Sequence, residues 1–514
     1  MLIKNSEKYL DYDTCSTVIA ELKQSGKTVI LCHGVFDLLH PGHIAHLQEA
    51  KALGDILVVS ITAAPYVNRG PGRPIFSDEM RLYSLSSLGC VDYVLCSPVA
   101  TAIEVIDRIQ PHIYCKGHEY ADARNDVTQN IDRETERVRS YGGDVRYVGE
   151  IVFSSTRLIN NHLDVLPPQV KSYASALSKQ YSFEQIRDYI DAMQQLKVLV
   201  LGDVIIDEFV YCAVQGLTSK GRVISTRFLK DEQHLGGSLA IARHLASFVD
   251  SVTVAGIVGN EPDVHTLILN NTSGRIRLDL HYEQGYPTIR KRRYIERQGM
   301  REQYTKLFSI NYLEEEVNPA QRERLLNRLE DTIQAYDLVI VADYGHGLMD
   351  PTLMELVQTQ ANFLALNCQT NSANHGYNLI TKYKRADSFC VDEAELRLAF
   401  ASRHGDHSHL LHRLHDHLGA DQGWLTLGSS GSLAVNRKGE EELTPAMTLD
   451  VKDTIGAGDA FFALASLSAK LELPLAIGSL LGNLAGAIAA NVLGNAEPVE
   501  KARLLKFLTT VLKF

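Results

Sequence analysis

The sequence predicts an α/β protein of two domains, each built around a strand that ends at glycine and feeds a helix. Three observations carry this. An apolar run, Thr28 to Cys32, is followed by Gly34 and a helical pattern opening at Pro41. A second apolar run, Lys197 to Gly202, starts a new series of alternating strand and helix patterns, and late in that series Asp453 to Phe462 again joins a strand to a helix through glycines. Between the two series stand Pro167, Pro168 and a polar stretch rich in Ser, Lys and Gln. At 514 residues the chain is too long for one ordinary core. The expected division is 1–165, a linker and lead-in helix over 166–195, and 196–514.

The first junction reads HGVFDLLHPGH, from His33 to His43. Proline suits the opening position of a helix, so Pro41 places His40 and His43 at a helix N-terminus. Backbone N–H groups and the positive end of the helix dipole favour an anion there. Two imidazoles three residues apart on one turn face the same way, so both can donate to the oxygens of a pentacovalent phosphate while pyrophosphate leaves. No covalent intermediate is needed.

This stretch resembles the H-x-G-H nucleotidyltransferase superfamily, whose pattern is met by Gly34, Phe36, Asp37, His40, Gly42 and His43. The resemblance implies a Rossmann-like domain in which these residues bind nucleotide and His40 and His43 are catalytic. The sugar-phosphate branch of that superfamily adds Arg73 before Pro74, Arg81, Lys116 before Gly117, and Ser154, Ser155 and Thr156 at the opening of the last helix. Lys116 would neutralise triphosphate or sugar-phosphate charge as a further catalytic residue, and the hydroxyl run would bind phosphate. Choline-phosphate-type relatives carry an arginine just before the Ser/Thr loop. Here Glu150 to Phe153 lead into it, which favours the heptose-type branch and leaves the base, CTP or ATP, open.

Residues Ser182 to Leu196 carry Phe183, Ile186, Tyr189, Ile190 and Met193 at helical spacing, an amphipathic lead-in to the second domain. The second junction, Asp453 to Phe462, offers a different chemistry. Backbone amides at Gly456, Ala457 and Gly458 can close around a transferring phosphoryl group, while Asp459 takes a proton from a hydroxyl attacking the γ-phosphorus of ATP.

This region resembles the PfkB, or ribokinase-like, carbohydrate kinases over essentially all of residues 196–514. The resemblance makes Asp459 catalytic and gives Thr454, Gly456, Ala457, Gly458 and Gly428 to nucleotide and phosphate. Asp203, Asp207, Gly236 and Gly237 fall to the sugar. Asp392 and Glu395 occupy the family's magnesium-governing motif and imply Mg²⁺, held indirectly. Gly221 to Phe228 and Pro287 to Ile295 resemble the small β lid that covers the sugar and pairs two copies into a homodimer. Three positions depart from the pattern: Ala240 for asparagine, Asp392 for asparagine and His346 for lysine. The polar run Asn367 to Asn378 reads equally as a solvated loop or as a loop contacting substrate or phosphate.

Both halves together resemble the bifunctional heptose kinase and heptose-phosphate nucleotidyltransferases, in reversed domain order. That resemblance implies ATP and CTP, or ATP alone, and a sugar or sugar phosphate as substrates. Two alternatives stand beside it: CDP-activation of a polyol phosphate or other metabolite, and a kinase-like domain that only binds ligand and regulates the transferase.

Composition bounds the partners. A formal charge of −11 without a polybasic tract argues against nucleic acid. The eight scattered cysteines and a first segment without a signal-length apolar core fit a cytoplasmic protein. Leu473 to Leu493 is uncharged, but its Pro474, Asn483 and Asn491 suit a buried helix better than a membrane span. The histidines from His404 to His417 read as a solvated face and not as a zinc site.

Overall fold

The computed structural model describes residues 3, 6–67, 73–121, 130–149, 167–298, 303–313, 317–371, 374–447 and 451–512. Ser154, Ser155 and Thr156 lie outside the described residues. The chain divides into two compact units, Met1–Leu166 with Leu505–Phe514, and Pro167–Leu504.

In the first unit the strands are β1 (Val29–Gly34), β2 (Ile56–Thr62), β3 (Tyr93–Ser97), β4 (Ile113–Gly117) and β5 (Asp144–Val148). They form a sheet in the order β3-β2-β1-β4-β5, every pairing parallel. Parallel sheets need both faces covered, which explains why β1 and β2 are near-continuous runs of Val, Ile and Leu. The order reverses beside β1, and the crevice beyond the carboxyl ends of the strands at such a switch point is where ligands bind. The HGVFDLLHPGH run begins at the carboxyl end of β1.

The second unit opens with helices Pro168–Leu177 and Phe183–Ala192. The latter begins at a capping box in which Ser182 Oγ accepts from Gln185 N and the Gln185 side chain accepts from Ser182 N. Its strands are β6 (Lys197–Gly202), β7 (Val204–Leu217), β8 (Ile224–Gly236), β9 (Ser251–Gly259), β10 (Ile276–Glu283), β11 (Ile289–Gln298), β12 (Gln303–Tyr312), β13 (Leu338–Asp343), β14 (Leu364–Cys368), β15 (Ser388–Asp392), β16 (Gln422–Thr426), β17 (Ser432–Asn436) and β18 (Glu441–Thr444). Nine of them make one sheet, β10-β9-β6-β13-β14-β15-β16-β17-β18, parallel as far as β16 and antiparallel beyond it.

The other four make the lid, β12-β11-β7-β8. Asp203 alone separates β6 of the large sheet from β7 of the lid, and Gly236 to Gly237 brings the chain back from β8 into a core helix. Lid and core therefore meet at the residues expected to hold sugar. In the lid β7 and β11 run parallel, with Asp207 opposite Lys291.

The apolar stretch near the end of the chain forms helix Leu475–Ala489 inside the second unit. Its polar members are satisfied there: Asn483 Nδ2 donates to Ser432 Oγ at 2.7 Å, and Ser479 Oγ accepts from the Trp424 indole at 3.0 Å. No helix among the described residues is long and apolar enough to cross a membrane. The histidine-rich segment lies largely in helix His407–Leu418, where His407 reaches Glu393 and His412 reaches Glu441. No group of three or more metal-ligating side chains occurs among the described residues.

Candidate active sites

In the first unit His40 is the N-cap of helix Pro41–Lys51 and holds extended backbone geometry. Its Nδ1 accepts from His43 N at 3.4 Å. An imidazole nitrogen that accepts carries no proton, so in the neutral ring Nε2 is the donor. Burial lowers the pKa of His40 and favours that neutral form. The two rings stack with centroids 3.9 Å apart at 21°, and Phe36 meets His43 edge-on at 5.2 Å. The expected pair is thus assembled, with Gly42 buried in the same helical turn. His33, at the end of β1, lies between two hydroxyls, Ser60 Oγ at 3.1 Å and Thr62 Oγ1 at 3.2 Å. Burial pushes its pKa down to about 3, so it is a neutral strut.

Other residues expected at nucleotide or phosphate face inward. Asp37 pairs with Arg73 at 3.2 Å and accepts from Ile75 N and Phe76 N, tying the histidine loop to the 73–76 segment. Arg81 requires a correction. Its side chain is 0% exposed, and the guanidinium donates to Val35 O, Thr62 O and Asp78 Oδ1. A guanidinium committed in this way fixes the ends of β1 and β2 and has little left to offer a phosphate. Lys116 pairs with buried Glu134 at 2.8 Å, and Glu134 also accepts from Tyr114 Oη at 3.0 Å.

In the second unit a cavity of about 330 Å³ gathers residues from both sheets. Asp207, Gly237, Asp392, Glu395, Thr454, Gly456, Gly458 and Asp459 line it. Gly428, Ala457, Asp203 and Gly236 do not. Ala457 opens the helix that carries Asp459, and Gly428 begins a short 3₁₀ turn. Gly236 stands behind Asp207, where a Cβ would come within 2.3 Å of Oδ2. Asp203, expected to contact sugar, is a second correction. It is 4% exposed, and its Oδ2 accepts from Tyr344 N at 3.1 Å and His346 N at 3.4 Å. Its own carbonyl accepts from Ser238 N and Oγ. Burial, reinforced by Asp343, raises its pKa to about 7.

Asp459 sits on the first turn of helix Ala457–Lys470. Its Oδ1 accepts from Tyr344 Oη at 2.9 Å and from Gln369 Nε2 at 3.1 Å, while Oδ2 takes no hydrogen bond among the described residues. Burial lifts its pKa to about 6; the Tyr344 bond opposes this and the Asp207 charge adds to it. A base poised there is ionised at neutral pH and close enough to titration to accept a proton.

Asp392 and Glu395 form a capping box on helix Glu393–Ala399: Glu395 N donates to Asp392 Oδ1 at 2.7 Å and Asp392 N to Glu395 Oε2 at 2.9 Å. Glu395 Oε1 accepts from Thr370 N at 3.2 Å. Burial, with Asp392 next to it, raises the Glu395 pKa to about 8.

The remaining wall holds Lys291, Arg293 and Asn495, to which sequence reasoning gave no role, and Asn367, Gln369 and Thr370, which it left between two readings. Lys291 and Arg293 alternate on β11, and that two-residue spacing puts both on one lid face. Arg293 pairs with Asp207 at 2.5 Å. Asn367, Gln369 and Thr370 belong to the polar run that had two readings. That run lines the cavity at its start, and beyond it serves as a strap: Asn371 and Asn374 donate to Tyr344 O at 2.7 and 2.8 Å, and Asn378 donates to Asp343 O and Gln369 O. Of the departures, Ala240 is buried in helix Gly237–Leu245 and His346 is 3% exposed beside Asp203, so neither lines the cavity.

Gly456 has φ +81°, and a Cβ on it would lie 1.7 Å from Asn495 Oδ1. The left-handed backbone alone costs an alanine about 1–2 kcal/mol. Gly456→Ala is expected to lower Tm and to cut sugar-dependent ADP formation at least about tenfold through displacement of the loop. Thermal melts and a coupled ADP assay check this.

Residues 195–502 match the pfkB family of carbohydrate kinases, and residues 31–175 match the cytidylyltransferase-like family. The bifunctional protein HldE of Syntrophotalea carbinolica is 37% identical over 145 residues, 28% of this chain and 28% of that protein. The bifunctional protein HldE of Pelobacter propionicus is 35% identical over 154 residues, 30% of each chain. The chain thus matches less than a third of the length of these curated relatives. Among solved structures, phosphofructokinase-2 from Escherichia coli in complex with potassium shares the fold with TM-score 0.50 at 12% identity, over 62% of this chain and 99% of that one. The large sheet with its four-stranded lid is accordingly ribokinase-like, and the first unit is Rossmann-like.

Proposed function

The chain belongs to the pfkB family of carbohydrate kinases, and on that premise we propose that it is a bifunctional enzyme of nucleotide-sugar synthesis. The second unit transfers the γ-phosphoryl group of ATP to a hydroxyl of a heptose-like sugar or sugar phosphate. The first condenses a sugar 1-phosphate with CTP or ATP, releasing pyrophosphate. The observation that carries the reading is the single cavity in which Asp459, the Thr454 to Gly458 loop and the lid residue Asp207 converge.

Within it the sugar hydroxyl gives its proton to Asp459 while its oxygen attacks the γ-phosphorus, and the amides at the start of helix Ala457–Lys470 receive the developing charge. Asp207, braced by Arg293, accepts from other hydroxyls of the sugar. The donor set suits a Mg²⁺ that arrives with the nucleotide: both Glu395 oxygens and Asp392 Oδ1 already take backbone N–H groups, so these carboxylates would hold the ion through its water shell. Bound there, Mg²⁺ supplies neutralisation of phosphate charge.

Lys291 favours a substrate that already carries an anion. It lines the cavity and forms no ion pair among the described residues, and burial lowers its pKa despite the nearby Asp207 charge. An ammonium held in this way gains a charge-assisted bond when a phosphate arrives. Lys291→Met is expected to raise KM for the anionic sugar about tenfold to a hundredfold, with a smaller effect on a neutral analogue. Steady-state kinetics with the paired substrates test this.

Exposed Leu217, Ile224, Phe228, Leu229, Phe308 and Ile310 on the lid strands support a homodimer joined through the lids, which light scattering would report. Eight free cysteines support a reducing, cytoplasmic setting. The function as a whole is tested by incubating the protein with ATP or CTP and a panel of sugars and sugar phosphates, following ADP and pyrophosphate separately. A protein that forms neither product with any of them does not have this function.

A further inference from the structure

We infer that Tyr344 and Gln369 are positioning residues for phosphoryl transfer: together they hold Asp459 by Oδ1 and so reserve Oδ2 for the sugar hydroxyl. The inference rests on Asp459 being the base of the proposed kinase reaction. In that step the O–H bond of the sugar breaks and its proton goes to Asp459 Oδ2. The sugar oxygen bonds to the γ-phosphorus, the bond from that phosphorus to the β–γ bridging oxygen breaks, and ADP leaves.

The geometry goes beyond two hydrogen bonds. A carboxylate on a single rotatable stem can present either oxygen, and donors at 2.9 and 3.1 Å on the same atom remove that freedom. Both donors are themselves fixed through their backbones. Tyr344 N donates to Asp203 Oδ2, and Tyr344 O accepts from Asn371 and Asn374. Gln369 N donates to Asp343 O at 2.8 Å, and Gln369 O accepts from Asn378 at 2.9 Å. The asparagine strap and the inward-facing Asp203 thereby acquire one shared purpose, to immobilise the two residues that aim the base. Lys291 Nζ lies 5.6 Å from the Tyr344 ring centroid, so the lid touches the same tyrosine. Burial and the neighbouring Asp459 push the Tyr344 pKa well up, so its hydroxyl stays a donor throughout the working pH range.

A hydrogen bond given to the ionised carboxylate favours that form, and its loss raises the base's pKa from about 6. Tyr344→Phe keeps the ring beneath Lys291 and removes only the donor. The acid limb of kcat/KM for ADP formation is expected to move up by about one pH unit. The deficit is then about eightfold at pH 5.5 and shrinks toward pH 8.5. Gln369→Met is expected to shift the limb in the same direction, and it keeps the test open if the tyrosine variant folds poorly. A pH profile that overlays the parent's, or a loss uniform across pH, would overturn the positioning role. Asp459→Asn in the same assay separates the premise: if that variant keeps turnover, the base assignment falls, whereas a dead Asp459→Asn beside an unshifted Tyr344→Phe profile overturns the positioning inference alone.

Discussion

Asp459→Asn is expected to reduce kcat for sugar-dependent ADP formation by about 10²–10⁴-fold while nucleotide-dependent pyrophosphate release from the first unit is unchanged. The substitution preserves shape, and the Asn carbonyl can still accept from Tyr344 and Gln369 where Oδ1 does now. What it removes is the oxygen that takes the proton. The parent enzyme should lose kinase activity as pH falls through about 6, because protonated Asp459 cannot act as a base and its burial sets the midpoint there. The variant should show no such limb in whatever turnover remains. A protein that forms no sugar-dependent ADP, and in which Asp459→Asn changes nothing in any assay, would instead leave the alternative in which the second unit binds ligand and serves the transferase. Measuring both products in one preparation controls for the amount of protein, and a thermal melt of the variant shows that the second unit still folds.

Much of this site was legible in the sequence because its chemistry is local. DTIGAGDAFF places Thr454, the glycine loop and Asp459 within a few residues, and the backbone that makes the loop is the backbone that aims the helix. The two carboxylates near the lid show where locality ends. Asp203 and Asp207 are four residues apart in one motif, yet Asp207 lies on lid strand β7 facing the cavity while Asp203 falls between two sheets and spends itself on backbone N–H groups. Nothing in their spacing separates those fates. Arg81 is a similar case: a basic residue close to a phosphate motif reads as a ligand, but only the fold shows that two strand ends converge on its guanidinium. The roles of Lys291 and Gln369 stayed undecided in the sequence for a different reason. Their partners come from distant segments, Lys291 lying opposite Asp207 and Gln369 reaching Asp459 ninety residues on, and a basic strand or a polar loop read alone is indistinguishable from a solvated one. The available signals were the alternation of Lys291 and Arg293 on a strand expected to cover the sugar and the polarity of the run that holds Gln369.

For the first unit, His43→Ala is expected to lower pyrophosphate release by about 10²–10³-fold, the usual consequence of removing one donor from a developing phosphoryl charge, with ADP formation untouched. The choice of His43 over His40 follows from the structure. His40 is both the partner ring at 3.9 Å and the N-cap of helix Pro41–Lys51, so His40→Ala removes a cap as well as a donor. That loss costs about 1 kcal/mol of helix stability and would lower activity by displacing the whole turn. His43 gives its backbone N–H to the cap while its ring packs against His40 and Phe36, and only the ring is lost on substitution. The helix should therefore persist in His43→Ala, with Tm close to the parent's and the nucleotide still able to bind, so the loss should fall on kcat and not on KM. An unchanged rate of pyrophosphate release would remove the histidine pair from the mechanism. A raised KM at unchanged kcat would recast His43 as a ground-state phosphate contact, since only an interaction gained in the transition state accelerates the transfer itself.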